Sequence, residues 1–397
     1  MPQTITENRP GLLLRGGTVV DPSQALNRVC DVAIRDGSIS AVGDGLPDDG
    51  HRVLDVSGRF VFPGLVDLHA HICWGFTDIG LVPDDICPST GVTAIVDAGS
   101  SSWPSQDAFR RIVAEPSRTR VFGFSNISSV GIPTAGTPEL ASLRFVDVDR
   151  SVATVAGNRD LMTGIKVRMG RHLIGDNGIE PMRLAVEAAD QAEVPVMVHV
   201  GNTPCPLAGI MDLLRPGDII THAYHGHPHG ILDDHRAVWE DVIEGRSRGI
   251  LMDVGHGAGS FSFDVAKAAF EQGFFPDAIS TDLYTVNVDG PVYDLPTTMS
   301  KMLNLGMPLE DIVESTTSIP AAAIGRNELG TLRPGAAADV AVFAMEEGDF
   351  EFTDSHGNLR RWPRRLTCEM TLLDGKIVFD RNRTEHPEPD RPAMDHP

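Results

Sequence analysis

Basic residues are scarce in this chain: 33 Lys+Arg face 55 Asp+Glu, a formal net charge of −22. That shortage argues against a nucleic-acid partner, whose affinity rests on Lys and Arg at phosphates. It argues equally against docking on an anionic membrane. Cysteine is sparse and odd in number. The five, at 30, 73, 87, 205 and 368, form no CxxC pair, so neither a disulfide framework nor a cysteine-rich zinc module is expected. No stretch approaches the roughly 18 uninterrupted apolar residues of a membrane helix. The opening MPQTITENRPG shows neither the basic start nor the apolar run of a signal peptide. The expectation is an acidic, soluble, cytoplasmic protein. What is present suffices for a core: 41% of the 397 residues are hydrophobic and 22% charged, near globular averages. That length allows two or three domains, or one large barrel with an appendage.

Both ends of the chain read as short strands. Val32–Ile39 resembles a hairpin turning at Asp36-Gly37, and Thr371–Phe379 has a similar turn at Asp374-Gly375. Gly335–Phe343 adds another short apolar strand after a glycine turn. Strand-rich ends around a different middle predict one small β domain built from residues 1–61 and 331–382; two separate hairpins on the main body are the simpler alternative. Residues 383–397, rich in Pro, Asp, Glu and His, read as a disordered tail.

Residues 62–330 change character. Apolar runs recur at Leu65–His69, Thr93–Asp97, Val121–Ser125, Gly164–Val167, Val196–His199, Ile219–His222, Ile250–Val254 and Ala278–Thr281. Amphipathic helix candidates such as Pro181–Glu193 and Phe263–Gln272 lie between them. Strand–helix alternation at intervals of about thirty residues fits a TIM-like (β/α)8 barrel. A doubly wound sheet would need a glycine-rich phosphate turn, and none is present.

Several strand ends carry metal-ligand chemistry. His69 and His71 stand at i and i+2, on one side of a strand. His199, His222 and Asp282 each close a candidate strand, on the face where such barrels build their active sites. One HxH pair is weak evidence. Ligand-type residues ending strands one, five, six and eight together point to a divalent metal. Lys166 lies within an apolar strand with no acidic neighbour in sequence. A buried ammonium is costly unless paired or neutralised. The alternatives are an unseen carboxylate partner, or reaction of the neutral amine with CO2 to a carbamate able to bridge two metals.

Taken together these residues resemble the amidohydrolase superfamily, in its carboxylated-lysine, binuclear branch. The resemblance is carried by Phe62–His71 and by Gly330–Val342 and spans nearly the whole chain. It implies a distorted (β/α)8 barrel flanked by a β-sandwich from both termini, with His69, His71 and Asp282 on one metal, His199 and His222 on the other, and Lys166 as the bridge. Asn126-Ile-Ser, His222–Gly226, Asp253–Phe263 and Gly290–Met302 narrow the resemblance to the deacetylase-type, dihydroorotase-like subgroup. Dihydroorotases of that group usually carry an Arg two residues after the HxH pair; here Cys73 stands there. The implied substrates are acetylated small acids, such as N-acetyl amino acids or O-acetyl 2-hydroxy acids.

The expected chemistry is hydrolysis of an acyl bond by a metal-bridging hydroxide, with Asp282 as general base and then acid. Zinc is the first choice of metal, and Mn, Co and Fe suit the same ligands. His256, Asn126 and Tyr224 are candidates for substrate contact, each with a structural reading of comparable weight. His225 is a further pocket candidate, and His227 and His229 read as a polar loop. Cys73 and Trp74 are placed to wall the site, with no nucleophile needed from Cys73. A cyclic amide hydrolase shares every ligand and is the nearest rival; a non-catalytic barrel would be expected to have lost some. The partner is a small molecule, and a homo-oligomer is left open.

Overall fold

The computed structural model describes residues 11–382; the expected tail at 383–397 lies outside them. Its strands run in chain order β1 (Leu12–Asp21), β2 (Leu26–Arg35), β3 (Ser38–Gly43), β4 (Arg52–Asp55), β5 (Phe60–Pro63), β6 (Leu65–Ala70), β7 (Val92–Ser102), β8 (Arg120–Asn126), β9 (Met162–Arg168), β10 (Val196–His199), β11 (Ile219–Thr221), β12 (Leu251–Asp253), β13 (Val340–Thr353), β14 (Leu359–Leu373) and β15 (Lys376–Asp380).

Strands β6 to β12 form a seven-stranded sheet in sequential order, and every ladder in it is parallel. Parallel strands are covered on both faces and so read as continuous apolar runs; every residue of β6, β7 and β9 is buried. The crossovers are helical. Glu180–Ala192, between β9 and β10, buries Met182, Ala185, Ala188, Ala189 and Ala192 on one stripe. Phe263–Phe270 starts at Ser262, whose side chain accepts from Val265 N. Inside the curled sheet, Val66, Leu68, Ala94, Val96, Phe122, Phe124, Met197 and Ile219 pack into one cluster with Ala278.

The eighth expected strand, Ala278–Thr281, is not a ladder. Backbone hydrogen bonds tie it to both edges, Val254 N to Ala278 O at 3.0 Å and His71 N to Leu283 O at 2.8 Å among them, but they form isolated bridges rather than a ladder, so the regular sheet stops at seven strands. Two features stop it from extending. Asp282 takes a left-handed backbone at φ 49, which no strand tolerates. The Asp67 carboxylate accepts from Thr281 N (3.0 Å) and Thr281 Oγ1 (2.6 Å), standing where a strand carbonyl would be.

The terminal strands form one eight-stranded mixed sheet rather than two stacked ones. Its order is β15-β14-β13-β5-β1-β2-β3, with β4 on β1. The sheet curls over a core of its own: Ile39 of β3 and Ile377 of β15, at opposite ends of the strand order, belong to one cluster with Leu14, Val32, Val340 and Leu372. Asp36-Gly37 and Asp374-Gly375 both take positive φ, the backbone of a tight hairpin turn. The β13–β14 hairpin reaches back to the parallel sheet: Asp354 accepts from Phe263 N at 3.0 Å, and Ser355 Oγ donates to Gly257 O at 2.8 Å.

Candidate metal centre and substrate pocket

The C-terminal ends of the parallel strands converge on one pocket with about 510 Å³ of empty space, lined by His69, His71, Lys166, His199, His222 and Asp282. All six residues singled out from the sequence as ligands meet there. Ligand atoms of His69, His222 and Asp282 lie within 4.8 Å of one another. His71 Nε2 is 3.1 Å and His69 Nε2 3.3 Å from Asp282 Oδ1. The His199 ring centroid is 4.4 Å from that of His222. The β6–β7 ladder shifts register between Asp67 and Ala70. Such an irregularity re-aims side chains: Val66 and Leu68 face the apolar interior, yet the next His69 and His71 both reach Asp282.

Hydrogen bonds fix which ring nitrogens face the centre. Thr221 Oγ1 donates to Asp253 Oδ2 at 2.7 Å, so its proton is used. His69 Nδ1, 2.7 Å from Thr221 Oγ1, therefore carries the hydrogen of that contact. His222 Nδ1 is 2.6 Å from the Gly255 carbonyl oxygen, which only accepts. Both rings thus turn a bare Nε2 inward. His71 Nδ1 is tied to Ser100 Oγ at 2.7 Å. Such tethers orient metal-binding imidazoles. Burial holds His69 and His199 well below the ordinary imidazole value and His222 at about 4. The His69–Asp282 contact is then a lone pair facing an anion. The His69 nitrogen and the Asp282 oxygen, two acceptors with no proton between them, call for a cation, and the donor set of imidazole and carboxylate suits a divalent one. His222 (φ 67) and Asp282 (φ 49) hold a left-handed backbone, the kind of strain that clusters at functional sites.

Lys166 Nζ contacts His69 Nε2 at 3.5 Å and Met197 Sδ at 3.3 Å, a ring nitrogen and a thioether rather than a carboxylate. Burial pushes its ammonium down to about 7. Gly99, at φ +83, lets it fit: a Cβ there would stand 2.5 Å from Lys166 Cβ.

Three expected substrate contacts are committed elsewhere. His256 Nε2 accepts from Lys301 Nζ at 2.8 Å, and the ring is fully buried. Asn126 donates to Gly99 O (3.1 Å) and accepts from Ser128 N (2.9 Å). The Tyr224 hydroxyl donates to Phe274 O at 3.3 Å. None of the three lines the pocket; they support the backbone beneath it. His225, His227 and His229 line a neighbouring cleft. Cys73 is buried with Sγ 3.5 Å from Asp97 Oδ2, and burial pushes its thiol well above the usual value, so it is no nucleophile. The sequence reading missed Arg168 and Tyr284, which line the pocket, and the Thr221–Asp253–Ser280 chain behind His69. Arg168 was findable, because it follows Lys166 by two on one strand face.

Fold and site together define a barrel-type hydrolase of the amidohydrolase class. The comparisons agree, and the chain belongs to the amidohydrolase family, in its deacetylase and dihydroorotase-like subgroup. The amidohydrolase family model matches residues 297–379. A deacetylase of Brucella anthropi is 39% identical over 347 residues, covering 87% of this chain and 86% of its own. A solved structure described as a dihydroorotase is 37% identical with a TM-score of 0.84, covering 93% of this chain and 97% of its own. Another, described as an adenine deaminase, is 33% identical with a TM-score of 0.87, covering 94% of this chain and all (100%) of its own. The protein is a hydrolytic enzyme.

Proposed function

We propose that the enzyme is a metal-dependent deacetylase that cleaves the amide or ester bond of a small acetylated carboxylic acid. The observation that carries this reading is the set of ligand-type atoms, His69 Nε2, His71 Nε2 and Asp282 Oδ1, closing on one point beside a buried Lys166. His69, His71 and Asp282 would hold one divalent ion and His199 and His222 a second, with Lys166 between them as its carbamate. The ions would supply charge to polarise a carbonyl and acidify a water. Asp282 Oδ1 takes the proton of the attacking water and returns it to the leaving nitrogen or oxygen. Thr221 and Ser100 keep the imidazoles oriented. The Lys166 amine, neutral in part near pH 7, gains CO2 at Nζ and releases one proton.

Kinship with the deacetylase of Brucella anthropi supports the acetyl substrate. A cyclic amide hydrolase is the second reading, favoured by the solved structure described as a dihydroorotase. Against it stands Cys73, a buried thiol at the position where dihydroorotases of this subgroup usually carry an arginine. The deciding experiment is a substrate panel for the metal-loaded enzyme: N-acetyl amino acids, O-acetyl 2-hydroxy acids, dihydroorotate and hydantoins. Turnover confined to the cyclic compounds sinks the deacetylase reading. Asp282→Asn is expected to lower kcat by about 100-fold or more; full turnover in that variant would remove Asp282 from the mechanism.

A further inference from the structure

Arg168 is a guanidinium in the wall of the pocket. It ends β9 two residues beyond Lys166, so the pleat turns both to the same side. Its side chain is 8% exposed, and it is paired with Glu139, whose side chain is completely buried at 0%. Nε and Nη2 grip the two Glu139 oxygens at 2.7 and 2.6 Å, Nη2 also donates to Thr137 O at 2.9 Å, and Nη1 donates to Ala135 O at 2.9 Å. Those bonds use four of the five guanidinium protons and leave one on Nη1. The fork is thus rigid and still holds a free donor. Its charge is felt by Lys166, His199 and Tyr284.

Tyr284, two residues past Asp282, lines the same pocket. Its ring meets His71 edge-on at 6.0 Å, and its hydroxyl makes no hydrogen bond within the described residues. A phenol O–H is a hydrogen-bond donor, so this hydroxyl too can donate into the pocket. Lys166 and Arg168 are the only Lys or Arg side chains that line the pocket among the described residues. With Lys166 engaged at the metal-type cluster, Arg168 is the cation left to meet an anion on the substrate. A buried ion pair adds little stability, but a clamped guanidinium with a spare proton is a preorganised receptor for a carboxylate.

We propose that Arg168 recognises the free carboxylate of the substrate, with the Tyr284 hydroxyl as a second donor. This rests on the deacetylase reading and names the residues that make an acid the preferred substrate. The test measures binding of a 2-hydroxy carboxylic acid and of its neutral carboxamide to the metal-loaded enzyme by calorimetry. The wild type is expected to bind the acid about 10- to 100-fold more tightly than the carboxamide. Arg168→Met combined with Glu139→Gln removes the ion pair as a unit and should bring that ratio close to one; Tyr284→Phe should reduce it several-fold. Arg168→Lys keeps the charge, loses the fork, and should raise KM for an N-acetyl amino acid with kcat little changed. If the double variant does not fold, the Arg168→Lys ratio decides. A wild type without preference for the acid, or a variant whose preference is unchanged, overturns the proposal. A preference that depends on Arg168, in an enzyme that hydrolyses no acetyl compound, would instead overturn the deacetylase reading alone.

Discussion

Lys301 is a second fully buried lysine, and its setting differs from that of Lys166. Its Nζ meets three acceptors, His256 Nε2 (2.8 Å), Pro291 O (2.7 Å) and Thr353 O (2.9 Å), as many as an ammonium has protons. Burial, the larger effect, still pushes it down to about 7 from 10.5, against the pull of Asp294 and Asp354. The unfolded chain therefore binds a proton between about pH 7 and 10.5 that the folded chain does not, and the contribution of Lys301 to stability rises with pH across that window. Lys301→Met abolishes this term. The melting-temperature gap between wild type and variant is expected to move in favour of the wild type as pH rises from 7 to 10; a gap that stays constant would show that Lys301 does not titrate there. At this scale the sequence exposed ligand-type residues better than their hydrogen-bond partners. His256 ends an apolar run just as His199 does, and nothing in its neighbours shows that a lysine far along the chain occupies its nitrogen.

At the scale of elements, the site depends on close packing of strands. The buried face of β7 approaches β9 so tightly at Gly99 that any side chain there must displace Lys166. Gly99→Ala is expected to fold with a loss of about 1–2 kcal/mol from the left-handed backbone, yet to lose most of its bound metal; elemental analysis of the purified variant checks this. Normal metal content would mean that β9 shifts without disturbing Lys166. The parallel strands were legible because each is buried on both faces and reads as one apolar run. The eighth was misread because Ala278–Thr281 has the same composition. What prevents a ladder there is the Asp67 carboxylate and the backbone of Asp282, neither of which a hydrophobic run reveals.

Across the whole molecule, the two sheets are joined by Arg120 at the start of β8. Its guanidinium grips Asp339 at 2.8 and 3.1 Å and Asp374 at 2.5 Å. Arg120→Met would leave Asp339, nearly buried, without its counter-charge, at a cost toward the low end of about 3–5 kcal/mol because Arg120 is partly exposed. Calorimetry should show a single transition at lower temperature; two separated transitions would mean that the sheets unfold independently once the clamp is cut. Removal of metal should destabilise the molecule too. An ion present at about 100 times its dissociation constant adds roughly 2.7 kcal/mol per site. A chelator is expected to lower the melting temperature and abolish hydrolysis, with both restored by zinc or manganese. An unchanged melting temperature would argue that no ion binds. No described helix is long and apolar enough to cross a membrane.

The sequence by itself determined the alternation that makes the parallel sheet, the strand-ending histidines and aspartate, and the misplaced Lys166, because periodicity and residue type are local properties. It also determined the acidity of the chain, −22 overall, which repels an anionic substrate at long range. Only the tertiary structure decided that a guanidinium lines the pocket of so acidic a chain. Arg168 and Glu139 are 29 residues apart and become one buried ion pair at the pocket solely because a loop folds over the end of β9. The same holds for the tautomers of His69 and His222, for the curl of the terminal sheet and for the unclosed eighth position. Each depends on which groups meet across long separations, and burial makes those meetings energetically decisive.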